Sequence, residues 1–170
     1  MLDYEKIQQG VTLIELLIAI AIVAILAGIA VPSFTTWLQN TQIRTATEAV
    51  KNGLQLARAE AIRRNEPVNF VLSSVTGTGW TVSTVAGVQI QQRSSSDGSP
   101  NVTATVTPSG ATTVTYNRLG RISNTGALTQ IDIDTASAQD QPLRIKISAG
   151  GQIRSCTPSI TNTSDPRYCY

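Results

Sequence analysis

The 170-residue chain contains no histidine, and this absence excludes a wide range of chemistry. Hydrolases that use an imidazole base and metal sites that use imidazole ligands both need this residue. Charged residues make up only 14% of the chain and the formal net charge is +2. Such a balance lacks the concentrated basic field that identifies most polyanion-binding proteins. The sequence offers no matched acid pair either, so we predict no enzymatic activity and name no catalytic residue.

Large hydrophobic residues are scarce after Gln39, where Thr, Ser, Asn and Gly dominate, but they are concentrated before it. The 21 residues Val11–Val31 carry a single charge. As a helix they would measure about 32 Å, enough to cross a hydrocarbon core of about 30 Å. We therefore predict one domain made of a membrane anchor and a polar head, with a secretory signal peptide or a plain signal anchor as alternatives for the apolar run.

The single charge in the apolar run is Glu15, and it argues for a specialised anchor. A carboxylate inside a membrane costs about 2.5–3.5 kcal/mol, so a function and a partner are expected for it. Cleavage between Gly10 and Val11 would create a positively charged α-amine within a turn and a half of Glu15. The carboxylate would then pair with its own amine or with that of a neighbouring subunit, and the second option would set the stagger between parallel helices.

The N-terminal sequence closely resembles the class III signal of type IV pilins and pseudopilins. The resemblance lies in Gly10-Val11-Thr12-Leu13-Ile14-Glu15-Leu16-Leu17, continuing to Ala30-Val31-Pro32-Ser33-Phe34. This resemblance implies that residues 1–10 are a leader peptide, that prepilin peptidase cleaves after Gly10 and methylates Val11, and that Glu15 is the assembly glutamate. Two features depart from the family pattern. The first mature residue is usually Phe rather than Val, and the leader usually carries net positive charge, which Asp3 and Glu5 cancel here.

A second helical segment is predicted after Pro32, because apolar residues recur at steps of three and four: Ile43, Ala46, Val50, Leu54, Ala57 and Ala61. Opposite charges four residues apart, Arg44 with Glu48 and Glu60 with Arg64, are expected to pair. Arg58, Arg63 and Arg64 are interpreted as a solvated face or filament contacts. Asn65-Glu66-Pro67 is expected to end the helix. The predicted organisation is a transmembrane helix at 11–32, an amphipathic helix at 33–66 and a β-rich head at 67–170.

Alternating Thr and Val, interrupted by Gly and Asp-Gly turns, predicts antiparallel sheet in the head, one part of which must cover the helix stripe. The predicted strands are Val68–Ser74, Trp80–Val85, Val88–Gln92, Val102–Thr107, Thr112–Tyr116, Ile131–Ile133 and Leu143–Ser148. The polar run Gln91–Asn101 is expected to be the most mobile loop. The two cysteines, Cys156 and Cys169, suit one structural disulfide in an oxidising compartment, worth about 3 kcal/mol.

Within the pilin superfamily, three further segments resemble the FimT/FimU and secretion pseudopilin H group: Leu56–Val68, the glycine-arginine turn of Tyr116–Ile122, and Gly151–Cys156 as a C-terminal strand. The resemblance implies an α+β fold, the type IV pilin lollipop, in which a long N-terminal helix, transmembrane in its first half, packs on an antiparallel β-sheet head. It also implies a minor pilin that helps prime type IV pilus assembly at or near the pilus tip.

The same resemblance implies the cellular location and the partners of the protein. We expect a single-pass bacterial inner-membrane protein with a periplasmic head that is incorporated into an extracellular pilus. The expected partners are other minor and major pilins, prepilin peptidase and the inner-membrane assembly platform. No cofactor, metal ion or small-molecule substrate is expected. The acidic residues Asp132-Ile133-Asp134 with Asp140 could suggest calcium, but their spacing does not fit a calcium-loop pattern.

Two other functions remain open from the sequence. A minor pseudopilin of a type II secretion system is one. DNA capture in natural transformation is the other, because FimT-like members bind DNA through a basic C-terminal region; the candidates here are Arg144, Lys146, Arg154 and Arg167. The run Gly151-Gln152-Ile153-Arg154 lacks the first arginine of that group's pattern. Nearby aspartates dilute the basic field further.

Overall fold

The computed structural model describes residues 11–137 and 140–170. One α-helix and eight β-strands form this part of the chain: α1 Leu13–Arg64, β1 Val68–Leu72, β2 Trp80–Thr84, β3 Gln89–Arg93, β4 Thr103–Thr107, β5 Thr113–Tyr116, β6 Gln130–Asp134, β7 Leu143–Ile147 and β8 Ile153–Cys156. The chain forms two compact units, which divide within α1 between Thr36 and Trp37.

The first unit contains the apolar part of α1, whose described side chains are all exposed as far as Val31. Leu13 and Ile29, for example, are 78% and 71% exposed. Apolar side chains that point outward on every side of a helix are typical of a segment that lies in lipid. By length and composition, α1 can cross a membrane.

The second unit begins with the amphipathic part of α1, and the predicted stripe is confirmed. All six of its apolar residues, from Ile43 to Ala61, are completely buried. The helix ends at Arg64 because Asn65 adopts a left-handed conformation, with φ +54°, and Pro67 follows. Glu60 pairs with Arg64 as predicted. The other predicted ion pair is wrong, since the carboxylate of Glu48 lies 3.3 Å from Lys51 instead of pairing with Arg44.

The strands form two four-stranded antiparallel sheets, in the orders β3-β2-β1-β5 and β4-β6-β7-β8. The predicted antiparallel strands are confirmed, with ends shifted by two residues or fewer. Their division between two sheets was not predicted. The loop predicted from Gln91 is wrong in its first part, because Gln91–Arg93 belong to β3.

Alternate residues of β1, β2, β4, β5, β6 and β7 face one hydrophobic core, which they share with the helix stripe. In β1 and β2, for instance, every second residue is buried and the residues between are half-buried. Gly53 shows how closely the helix approaches this core. A Cβ atom at that position would lie 2.8 Å from the Trp80 ring and 2.9 Å from Phe70, so only glycine leaves room for the two aromatic rings.

Candidate functional site

The first candidate site is the beginning of α1, where Thr12 caps the helix. Its Oγ1 accepts a hydrogen bond from the backbone N–H of Glu15 at 3.3 Å, and its carbonyl accepts one from Leu16 at 3.1 Å. Threonine followed three residues later by glutamate is the sequence pattern of a capping box. The sequence interpretation treated Glu15 only as a buried charge and missed this pattern. A carboxylate in the first turn is also stabilised by the helix dipole.

Glu15 is exposed on a surface made of apolar side chains. Among the residues that the structure describes, no lysine or arginine pairs with its carboxylate. The α-amine of Val11, predicted to be its partner, would exist only after cleavage at Gly10. Gly10 and the rest of the predicted leader, residues 1–10, lie outside the described residues. The roles of Gly10, Val11 and Glu15 therefore stay predictions that sequence chemistry supports.

The second candidate site is the C-terminal tail, which a disulfide holds against β8. Cys156, the last residue of β8, is bonded to Cys169, and their Cα atoms are 5.2 Å apart. The backbone N–H of Thr157 donates to the carbonyl of Arg167 at 2.8 Å. The tail therefore folds back against the end of β8, the strand that precedes it.

Two of the four predicted DNA-binding residues are held in ion pairs. The guanidinium of Arg144 donates two hydrogen bonds to the Asp132 carboxylate on the adjacent strand, and Arg167 lies 2.9 Å from Asp165. Hydrogen bonds from Arg167 lower the pKa of Asp165 below its usual value. Since each guanidinium faces a carboxylate, neither offers an uncompensated positive charge to a ligand.

The other two, Lys146 and Arg154, are brought together beside the tail. The Lys146 ammonium donates to the backbone oxygen of Tyr170, and the Arg154 guanidinium lies 5.3 Å from the centre of the Tyr170 ring. Tyr168 and Tyr170 pack edge to face, with ring centroids 5.3 Å apart. The sequence does not reveal this cluster, because the tail is distant from β7 in the sequence and the disulfide brings the two together.

These groups line a cavity of about 240 Å³ between the β7–β8 hairpin and the tail; its walls include Lys146, Ser148, Gln152, Arg154, Tyr168 and Tyr170. A second cavity of about 250 Å³ is lined by Cys156, Arg44 and Arg167 among other residues. The acidic residues named earlier do not gather at either cavity. Asp132 pairs with Arg144, and burial, with the nearby charge of Asp134, raises the pKa of Asp140.

A third feature is a close junction between the helix and both sheets. Gly120 lies in the turn after β5, with φ +71°, as the glycine-arginine turn predicted. Its carbonyl accepts a hydrogen bond of 3.1 Å from Arg58 Nε, so the interpretation of Arg58 as part of a solvated face is wrong. Gly151, in the β7–β8 hairpin, approaches the same carbonyl so closely that an added Cβ atom would lie 2.0 Å from it.

Comparisons with known proteins agree with this architecture. Residues 46–151 match the family described as Type II transport protein GspH, and residues 6–31 match the Prokaryotic N-terminal methylation motif. A fimbrial protein of Pseudomonas aeruginosa is 34% identical over 119 residues, which cover 64% of this chain and 75% of that protein. The type IV major fimbrial protein FimA of Dichelobacter nodosus is 34% identical over 59 residues, covering 35% of this chain and 36% of that protein.

Among solved structures, the fold is similar to that of the Pseudomonas aeruginosa type IV minor pilin FimU, with a TM-score of 0.53 and 18% identity over 68% of this chain and 97% of FimU. At that identity the likeness shows the shared fold. The family match extends over more than half of the chain and includes the part of α1 that packs in the core. This chain belongs to the type IV minor pilins and pseudopilins, in the family of the type II transport protein GspH.

Proposed function

We propose that this protein is a minor pilin that helps prime type IV pilus assembly and is located at or near the pilus tip. The observation that carries the proposal is the beginning of α1, where an exposed carboxylate lies in the first turn of the apolar, exposed part of the helix. The match to an N-terminal methylation motif supports processing at this end of the chain.

Cleavage after Gly10 would leave the α-amine of Val11 one turn before Glu15. In a lipid environment, two opposite charges on parallel helices attract strongly, because each is otherwise an isolated charge in a medium of low dielectric constant. Glu15 of one subunit would therefore recruit the N-terminus of the next and fix the axial offset between the two helices. Prepilin peptidase and the inner-membrane assembly platform are the partners that this mechanism requires.

The apolar helix and the family indicate membrane anchoring and incorporation into a pilus. We place the anchor in the bacterial inner membrane as a single span, with the head in the periplasm before assembly. The Cys156–Cys169 disulfide supports this placement, since disulfides persist in the oxidising periplasm and are rare in the cytosol.

The proposal is tested by counting surface pili on cells that lack the gene and carry a plasmid copy of it. We expect the deletion to remove most pili and the wild-type copy to restore them. Glu15→Ala and Glu15→Gln should fail to restore pili while the protein stays in the membrane. Glu48→Ala is the matched control, because it removes an exposed glutamate from the same helix outside the apolar part, and it should restore pili. Normal pili in the deletion strain would overturn the proposal.

A second candidate is a minor pseudopilin of a type II secretion system, which the match of residues 46–151 to a type II transport protein favours. This function predicts that deletion leaves surface pili unchanged and lowers the amount of exported enzymes in the medium. The Glu15 variants would fail in the same way, because both assemblies need the helices to be in register. Pilus counts and exported enzyme levels, measured on the same strains, separate the two candidates.

A further inference from the structure

The exposed hydrophobic side chains of the head are unevenly distributed. Beyond Leu38, six large hydrophobic side chains are exposed in the part of the chain that the structure describes. Four of these six belong to only three segments, namely the last turn of α1, the β2–β3 hairpin and the turn after β5: Ile62, Val85, Val88 and Leu119. Single exposed hydrophobic residues are ordinary, whereas several gathered at one place are typical of an interaction surface.

The strand register brings these three segments to the same end of the sheet β3-β2-β1-β5. Val68, the first residue of β1, lies opposite Thr84 of β2 on one side and Tyr116 of β5 on the other. Since neighbouring strands are about 4.8 Å apart, the β2–β3 hairpin and the turn after β5 begin about 10 Å from each other. The backbone N–H of Val85 also donates to the carbonyl of Pro67, between α1 and β1, at 3.3 Å.

The turn after β5 is ordered and contacts the end of α1. A Cβ atom added at Gly120 would lie 2.9 Å from Cδ1 of Ile62, so the turn and the helix touch there. Asn117 fixes the shape of the turn, because its Oδ1 accepts hydrogen bonds from the backbone N–H groups of Leu119 and Arg121 at 2.9 and 3.1 Å. This ordered turn leaves Leu119 72% exposed, where it adds little to the core.

Positive charge is concentrated in the same part of the head. The end of α1 and the turn after β5 contain five arginines and two glutamates, whereas the formal net charge of the whole chain is +2: Arg58, Arg63, Arg64, Arg118 and Arg121, with Glu60 and Glu66. Arg63 and Arg64 share the single carboxylate of Glu60. Arg118 and Arg121 are exposed, and within residues 11–137 and 140–170 no aspartate or glutamate lies within ion-pair distance of either.

We propose that this end of the head binds a neighbouring pilin subunit through a segment that carries acidic and apolar side chains. We call it the helix-end surface, and it consists of Ile62, Val85, Val88, Arg118, Leu119 and Arg121. The inference rests on the proposed function, because it takes the partner from pilus assembly. Charge complementarity identifies the occupant: carboxylates would accept charge-assisted hydrogen bonds from the two arginines, and apolar side chains would cover the aliphatic ones. A second copy of this chain, bound symmetrically through the same surface, would instead place like charges against each other.

Other anionic partners fit the helix-end surface less well. Single-stranded nucleic acids bind by stacking their bases on aromatic rings, and the exposed large side chains of this surface are all aliphatic. Anionic lipid headgroups would suit the arginines, but the surface lies at the last turn of α1. Measured along the helix, that turn is about 40 Å from Trp37, where the second unit begins and the apolar part of α1 has ended.

The test is a titration of the purified full-length chain in non-ionic detergent, followed by the amide resonances of residues 85–88 and 117–122. The probes are the blocked tetrapeptide acetyl-Leu-Glu-Leu-Glu-amide, its neutral counterpart acetyl-Leu-Gln-Leu-Gln-amide, a thymidine tetranucleotide, and glycerophosphoserine, which is an anionic lipid headgroup without its chains. We expect the acidic tetrapeptide to bind with a Kd of the order of millimolar, as a few contacts allow. The other three probes should bind at least about tenfold more weakly.

Two variants and two matched controls make the result specific. Arg121→Gln and Leu119→Ser should each weaken binding of the acidic tetrapeptide about fivefold or more. Arg44→Gln removes an exposed arginine from an earlier part of α1, and Val75→Ser removes an exposed valine from the loop at the other end of β1. Both controls should leave the affinity unchanged. Because all four side chains are exposed, each variant should keep the wild-type amide spectrum away from its own position, which shows that it is folded.

Equal binding of the acidic and neutral tetrapeptides, or unchanged binding in both surface variants, would overturn the proposal. Absence of binding by the acidic tetrapeptide up to about 50 mM, far above the expected Kd, would overturn it too. Tighter binding of the tetranucleotide would assign the helix-end surface to nucleic acid instead, and tighter binding of glycerophosphoserine would assign it to anionic lipid. The titration needs no pilus, so its failure leaves the pilus counts of the Glu15 experiment standing, and the reverse also holds.

Discussion

Replacing Gly151 with alanine should destabilise the head strongly, for two separate reasons. Its φ is +79°, in the left-handed region, where a side chain costs about 1–2 kcal/mol. In addition, the new Cβ atom would lie 2.0 Å from the carbonyl oxygen of Gly120, a backbone atom that cannot rotate away. Overpacking of this kind costs about 1–3 kcal/mol. We therefore expect Gly151→Ala to lower the free energy of unfolding by about 2–5 kcal/mol.

The chain contains a matched control for the conformational part of this cost. Gly110 has φ +81°, and an added Cβ atom there would meet nothing within 4 Å. Gly110→Ala should therefore lose only about 1–2 kcal/mol. The difference between the two variants measures the collision with Gly120 alone.

The assay is urea unfolding of the full-length chain in detergent, followed by tryptophan fluorescence. Unfolding should change mainly the signal of Trp80, which is 3% exposed, because Trp37 is already 61% exposed. With a urea dependence of about 2 kcal/mol per molar, the midpoint should fall by about 1–2.5 M for Gly151→Ala and by about 0.5–1 M for Gly110→Ala. Equal shifts for the two variants would refute the reasoning, because they would mean that the hairpin moves away from Gly120 at no cost.

Three further predictions concern the stability of the same head. Opening the Cys156–Cys169 disulfide with a reductant should lower the free energy of unfolding by about 3 kcal/mol, and an unchanged urea midpoint would contradict this. Leu54→Ala removes a completely buried side chain from the helix stripe and should cost about 2–5 kcal/mol in the same assay, whereas a loss below 1 kcal/mol would show that the stripe is loosely packed. Two arginines lower the pKa of Glu60 from 4.5 to about 2. The stabilisation from this carboxylate is therefore present above pH 4.5 and is lost as the pH falls toward 2. Since the pair is near the surface we expect less than about 1 kcal/mol, and Glu60→Gln should flatten the pH dependence in that range.

Much of the fold could be predicted because its signals are local. The helix stripe from Ile43 to Ala61 repeats with the helical period, and the Asn-Glu-Pro run marks the end of α1, so both were correct. The strands alternate with period two, which fixes their faces as well as their approximate ends. The partner of Glu48 was wrong because Lys51, three residues away, competes with Arg44 for the same carboxylate on the helix surface.

The parts that could not be predicted depend on contacts between distant segments. Arg58 follows the pattern of a solvated helix face, and only the close approach of the turn at Gly120 turns it inward. Tyr170 is 16 residues from Arg154 in the sequence, and the two meet because the disulfide brings the tail back to β8. Periodicity carries no information about contacts between distant segments, so only the structure reveals the junction at Gly120 and the cavity beside the C-terminal tail.

The path of the chain through the two sheets has a consequence for how the head acquires its structure. The chain forms β1, β2 and β3 in one sheet, places β4 in the other, returns for β5, and crosses again for β6, β7 and β8. The first sheet cannot be completed until β5 has been synthesised. At that point β4 of the second sheet is present, but β6, β7 and β8 are not. Because a chain is synthesised from its N-terminus onward, neither sheet can be complete before the later strands are present. We expect the head to fold in a single cooperative step after the last strand has been synthesised.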